Sequence, residues 1–219
     1  MVFFALTFSG INLFGNGIIR AQNNHSIQIN GGVISPMSSS KGLSIYLQYN
    51  YYLNKQIILY TYTGYSAWDK YKIKLPDNRP FYSGIVPKYF NSYSADDHIL
   101  IPIYLGSRIN FYSNNLFTPF INFEIGYSYL SYNSYDQQEE INPETGETVG
   151  YYPDNTTKKA NRENLFGVGI GAGLSHQISE NIDLLLSFKL NSYVNENYNG
   201  LFSTQGTYTA FIAGFNFKL

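Results

Sequence analysis

His25, His98 and His176 are the only histidines in the chain, and there is no cysteine. Nucleophilic or acid–base catalysis therefore has few residues to draw on. His98 is the one histidine placed where it could serve an acyl-transfer centre. Its neighbour two positions along the same face is Leu100, not a serine, and Asp96 and Asp97 beside it have no nucleophile to assist. A histidine closing the end of a strand accounts for it better, so no catalytic residue is assigned. Metal chemistry fares no better. Asp136, Glu139, Glu140, Glu144, Glu147, Asp154 and Glu163 cluster between Asn133 and Asn164. They lack the Asp-x-Asp-x-Asp-Gly spacing of a calcium loop. A solvated acidic loop turning at Pro143-Glu144-Thr145-Gly146 is expected, with no metal and no cofactor. Gly167, Gly169, Gly171 and Gly173 alternate strictly, which suits close packing within a strand and not a phosphate-cradling loop.

Two other sets of residues could do physical work. The first is a group of charges whose spacing places them on the inner faces of strands: Arg108, Glu124 and Lys189, with Asp183 and Lys218 nearer one end. Arg108 and Glu124 fall on adjacent strands at similar height and are expected to pair, with Lys189 in reach. Asp183 and Lys218 are expected to pair at the rim. Charges in a narrow polar interior are tolerated only when paired, so a structural role is expected. The second set is aromatic and basic: Trp68, Lys70, Lys72, Lys74, Phe81, Tyr82, Tyr89 and Phe90. The Lys70-x-Lys72-x-Lys74 alternation suggests a hairpin, and the set offers a candidate contact surface for lipopolysaccharide, glycans or a partner protein.

Strands must position both sets. The chain has 219 residues, 13% of them charged, with 22 Tyr and 16 Phe. Soluble domains average about 25% charged. The net charge of -1, with scattered basic residues, argues against nucleic-acid binding. The aromatic content argues against disorder. From Ile27 onward the apolar pattern has period two. Eight segments each show an uncharged apolar face, such as Ile99-Ile101-Ile103-Leu105 or Ile121-Phe123-Ile125-Tyr127-Tyr129. The opposite faces carry Gln28, Asn30, Gln48, Asn50, Asn122, Asn191, Asn216, the charges above and the four alternating glycines. That polar face holds too few charges for a surface in water. It suits a crowded interior, with the apolar face toward lipid.

The connections alternate in length. Asn54-Lys55, Ser113-Asn114-Asn115 and Ser179-Glu180-Asn181 are short. Residues 36–41, 66–98, 133–164 and 194–204 are longer. Short turns on one side and long loops on the other are the transmembrane-barrel pattern. Residues 2–19 are apolar and uncharged, Arg20 is the first charge, and Ala21-Gln22 precedes a polar stretch. This fits a secretory leader over 1–21, leaving 22–219 for the barrel.

Two stretches, IPIYLGSRINFYSNNLFTPFINFEIGYSYL and GVGIGAGLSHQISENIDLLLSFKLN, resemble the small eight-stranded outer-membrane β-barrel proteins of the Bacteroidota, a broad group with OmpW-like and PorT-like members. The Ala21-Gln22 junction is similar to leader cleavage sites common in that phylum. The resemblance implies an all-β, antiparallel up-and-down barrel in the outer membrane of a Gram-negative bacterium. It implies no shared catalytic residues. The expected protein is monomeric and non-enzymatic, with a filled polar lumen. It would act through its extracellular loops or as an accessory subunit of an envelope complex. Its expected partners are outer-membrane lipid and lipopolysaccharide, with another envelope protein as a further candidate, and not nucleic acid. Two rival readings are a soluble lipocalin-like barrel around an apolar ligand and a lipid-A-modifying barrel enzyme.

Overall fold

The computed structural model describes residues 24–79, 86–111, 116–194 and 203–219. The expected leader, Phe81, Tyr82 and most of the 194–204 connection lie outside them. Its strands are β1 (His25–Pro36), β2 (Gly42–Tyr52), β3 (Ile57–Trp68), β4 (Tyr71–Pro76), β5 (Tyr89–Asn110), β6 (Phe117–Ser134), β7 (Gln137–Ile141), β8 (Thr148–Pro153), β9 (Lys159–Ser179), β10 (Ile182–Val194) and β11 (Ser203–Lys218). A 3-10 turn, Asn155–Thr157, precedes β9.

Eight of these strands close a ring. Each pairs antiparallel with the next in the order β1, β2, β3, β5, β6, β9, β10, β11, and β11 returns to β1 along Ser26↔Lys218 to Pro36↔Tyr208. A closed ring leaves no unpaired edge, as lipid requires of any spanning sheet. Of the three short turns, the one at 113–115 lies outside the described residues. The turn after β2 is held by its own asparagine. Asn54 Oδ1 accepts from the backbone N–H of Gln56 and of Ile57, both at 2.8 Å, an Asx-type closure.

The two faces settle which way the barrel points. Leu43 is 71% exposed, Ile103 63% and Leu105 64%, whereas Asn50, Asn191 and Asn216 are at 1% or less. The apolar face is therefore outside and the polar face inside. A soluble barrel lined by apolar side chains is ruled out by that inversion. Tyr49, Tyr51 and Phe217 lie near one end of the outer surface, and Tyr65, Tyr127, Tyr129 and Phe166 toward the other. Such aromatic girdles sit where hydrocarbon meets water.

Strand lengths depart from the expected plan. About 9–11 residues span a bilayer core, yet β5 has 22 residues, β6 has 18 and β9 has 21. Both long connections expected as loops are largely strand. β4 pairs with the start of β5, from Tyr71↔Ala95 to Pro76↔Tyr89. β6 and β9 stay paired out to Ser134↔Lys159, and β7 and β8 form a hairpin between them. Backbone groups above the membrane are satisfied by continuing the ladder.

Candidate functional site

The lumen is built around one strand that contributes almost no side chains to it. Gly167, Gly169 and Gly171 of β9 are buried and face inward. A Cβ at Gly169 would come within 2.5 Å of Glu124 Cγ and 2.6 Å of Asn191 Nδ2. At Gly167 it would strike the Tyr104 hydroxyl, and at Gly173 the Phe120 ring. The glycines are needed because β6 and β10, which flank β9, reach across them. Row by row, Glu124, Gly169 and Asn191 are register partners, and so are Asn122, Gly171 and Lys189.

Glu124 is the centre of the network. Lys189 Nζ lies 2.7 Å from Oε2. Asn191 Nδ2 donates to Oε1 at 2.7 Å, Tyr62 Oη to Oε1 at 2.9 Å and Tyr60 Oη to Oε2 at 3.0 Å. Lys189 also sits 4.3 Å above the Tyr62 ring. The bonds run from β3 to β6 to β10 and so tie opposite walls of the barrel together.

The expected pairing of Arg108 with Glu124 does not form. The register puts Arg108 opposite Asn122, while Glu124 faces Gly106. Arg108 donates to Gln28 Oε1 at 3.1 Å and to Asn122 Oδ1 at 3.4 Å, with its guanidinium 4.6 Å from the Phe120 ring. Lys189 takes Glu124 because the glycine strand leaves the way open. At the turn end Lys218 Nζ lies 2.9 Å from Asp183 Oδ1, and Asn216 Nδ2 donates to Asp183 Oδ2 at 3.2 Å.

Tyrosines fill the rest of the bore. Tyr46, Tyr60, Tyr62, Tyr104, Tyr193 and Tyr208 are all buried. Tyr62 stacks on Tyr104 with centroids 5.4 Å apart and planes at 10°. Tyr46 meets Tyr62 edge-on. The sequence reading expects a filled lumen with Tyr60 and Tyr62 on its inner face, but does not single out the other four tyrosines as part of the filling. Strand parity would have found them, since Tyr46, Tyr104, Tyr193 and Tyr208 share the inward phase with the polar residues.

Above the plug lies a ring stack. His98 is sandwiched between Trp68 (5.0 Å) and Tyr132 (5.2 Å), each at 11° to the imidazole plane. Its Nδ1 is 2.7 Å from the Asp69 carbonyl oxygen. Both faces of the imidazole are covered, and its hydrogen bond goes to backbone. Trp68 is 5% exposed, so it belongs to the mouth of the lumen and not to an outer contact surface as expected. Its place in the inward parity of β3 was the available signal.

Of the other expected contact residues, Lys70, Lys72, Lys74, Tyr89 and Phe90 are described, and they lie in a packed crown. Lys70, Lys72, Lys74 and Lys88 are exposed, as is Tyr89. Lys70 covers the Tyr93 ring at 4.4 Å, and Lys88 the Phe90 ring at 4.8 Å. Phe90 is half-buried against Tyr151. The β7–β8 hairpin leans on this sheet. Tyr151 Oη donates to the Pro76 carbonyl at 2.8 Å, Ser92 Oγ to Gln137 Oε1 at 2.6 Å, and the Asn78 N–H to Thr148 Oγ1 at 2.8 Å. The hairpin turns through Gly146 at φ +70°, the left-handed region that glycine adopts without strain. Tyr135 donates to Asp96 at 3.0 Å. Desolvation and that carboxylate push the pKa of its phenol up to about 12. Among the described residues no cluster of His, Asp and Glu has metal-ligand geometry.

No protein-family model matches the chain, and no curated protein matches it in sequence. Among solved structures it is similar to Neisserial surface protein A, at 16% identity over 90% of this chain and 97% of that one, with a TM-score of 0.55. It is also similar to a major outer membrane protein from Thermus thermophilus, at 13% identity over 89% and 99% of the two chains, with a TM-score of 0.51. At such identities the likeness is one of fold. By ring closure, face polarity and this likeness, the chain has the fold of the small eight-stranded transmembrane β-barrels of outer membranes.

Proposed function

We propose that the protein resides in the outer membrane as a closed, non-enzymatic barrel and that its basic crown engages anionic groups outside the membrane, the phosphates of lipopolysaccharide first among them. The observation that carries this reading is the asymmetry of the crown. Lys70, Lys72 and Lys74 alternate along β4 and the residue before it and are exposed, with Lys88 nearby. Glu139, Glu140, Glu144 and Glu147 lie on the β7–β8 side. A basic stripe on a rigid sheet suits multivalent contact with phosphates, and segments carried on a rigid scaffold are common sites of binding. The plugged bore argues against a diffusion pore, because eight strands enclose only enough room for side chains.

The test is binding of the purified protein to lipopolysaccharide-containing vesicles. The Lys70→Ala, Lys72→Ala, Lys74→Ala triple variant should fold normally and bind at least several-fold more weakly, with less salt dependence than the parent. Unchanged binding and salt dependence would refute the lipopolysaccharide reading. It would favour the second envelope role, in which the crown docks onto another protein of a larger complex.

A further inference from the structure

The sheet made by β4 and the start of β5 has two unlike faces. Register pairs Ile73 with Ser92 and Leu75 with Phe90. This face is half-buried against the β7–β8 hairpin, where Phe90 meets Tyr151 and Ser92 donates to Gln137. The alternate residues make the other face, with Lys72 opposite Tyr93, Lys74 opposite Asn91 and Pro76 opposite Tyr89. Lys72, Lys74, Asn91 and Tyr89 are exposed. Lys72 and Lys74 form no ion pair among the described residues. The neighbouring carboxylates are engaged elsewhere, Asp77 by Arg79 at 2.6 Å and Asp96 by the Tyr135 hydroxyl at 3.0 Å. A row of free ammonium groups thus runs beside a row of rings and an amide, on a sheet whose other side is packed.

The height of this face decides what it can meet. Tyr129 of the outer aromatic girdle pairs with Ile101. From there β5 runs on to Asn91 with one bulge, at the left-handed Asp97. Beside it β6 and β9 continue without a register shift to Ser134↔Lys159. At about 3.3 Å per residue and a strand tilt of about 40°, Asn91 and Lys74 stand roughly 20–25 Å above the girdle. Headgroups fill only about 5–8 Å on each side of the hydrocarbon core. A phosphate borne directly on a lipid headgroup therefore lies well below the lysine row, whereas the sugar chain of lipopolysaccharide rises to it. An exposed tyrosine offers a large rigid contact at low entropic cost, and a sugar's C–H face stacks on such a ring. Resting on the lipopolysaccharide reading above, we infer that this face binds the oligosaccharide of lipopolysaccharide and not its lipid headgroup. Lys72 and Lys74 hold carboxylate or phosphate groups carried on the sugars, Asn91 bonds sugar hydroxyls, and Tyr89 stacks on a sugar ring.

The experiment uses the whole protein folded in detergent micelles, titrated calorimetrically with core oligosaccharide freed from lipopolysaccharide by mild acid and, separately, with lipid A. Vesicles containing intact lipopolysaccharide serve as the reference. The free oligosaccharide should bind and lipid A should bind at least several-fold more weakly. The Lys72→Ala, Lys74→Ala double variant and Tyr89→Ala should each weaken oligosaccharide binding at least several-fold, and Tyr89→Phe, which keeps the ring, should restore it. If intact lipopolysaccharide binds through the lysines but the oligosaccharide does not, or lipid A binds as tightly, this inference is overturned while the wider reading stands. Oligosaccharide binding that is indifferent to Tyr89→Ala likewise overturns it, leaving charge alone as the attraction. Binding of neither the oligosaccharide nor intact lipopolysaccharide overturns both.

Discussion

Four donors converge on Glu124, and each of them would be stranded without it. Glu124→Ala leaves Lys189 buried with no opposite charge and frees Tyr60, Tyr62 and Asn191. Breaking one side of a buried pair costs about 3–5 kcal/mol. Urea unfolding of the barrel in lipid vesicles should show a loss of that order. The double variant Glu124→Gln, Lys189→Met should recover a large part of it, because the unpaired charge is gone. An unchanged midpoint in Glu124→Ala would mean the network contributes nothing. The glycines make a second prediction at this scale. Gly169→Ala drives a Cβ into Glu124 and Asn191, whereas Gly31→Ala meets nothing nearer than 3.8 Å. Overpacking costs about 1–3 kcal/mol, so the first should unfold at lower urea and the second near the parent. Equal midpoints would contradict the account of β9 as a strand kept bare for its neighbours.

At the level of elements, period two identifies all eight spanning strands and their faces, because lipid outside and polar packing inside demand alternation. It does not show where the strands stop. Above the membrane β5, β6 and β9 no longer separate lipid from lumen, so residues such as Tyr93, Ser94 and Asn133 need no alternation and read as loop. Parity also places Arg108 and Glu124 on the inner surface but cannot supply the register. One row of offset gives Arg108 to Asn122, and the empty width of β9 gives Glu124 to Lys189. Trp68 reads as an outer contact for a related reason: a residue at the last position of a strand looks like loop unless its parity is followed. The element that should be separable is the β7–β8 hairpin. Replacing residues 137–153 by a short turn removes contacts with β4 and β5 only within the crown. The shortened protein should still fold into vesicles with the spanning-strand signal of the parent by circular dichroism. Failure to fold would show that the crown is needed to close the barrel.

The described residues form a sleeve with an apolar exterior, a tyrosine and ion-pair plug, and a stranded extension on one side. A bore blocked by Tyr62, Tyr104 and the Glu124 network should carry no steady current. Planar-bilayer recordings of the purified protein should show none of the sustained openings of a porin. Frequent long openings would mean the plug moves aside. The inward placing of the plug depends on the apolar face meeting lipid. The most direct measurement is the migration of boiled and unboiled samples on a detergent gel after the outer membrane has been isolated. A protein found in the outer-membrane fraction that migrates differently before and after boiling is the predicted result. A protein released without detergent that migrates identically in both samples would contradict the barrel's orientation and with it the account of the lumen.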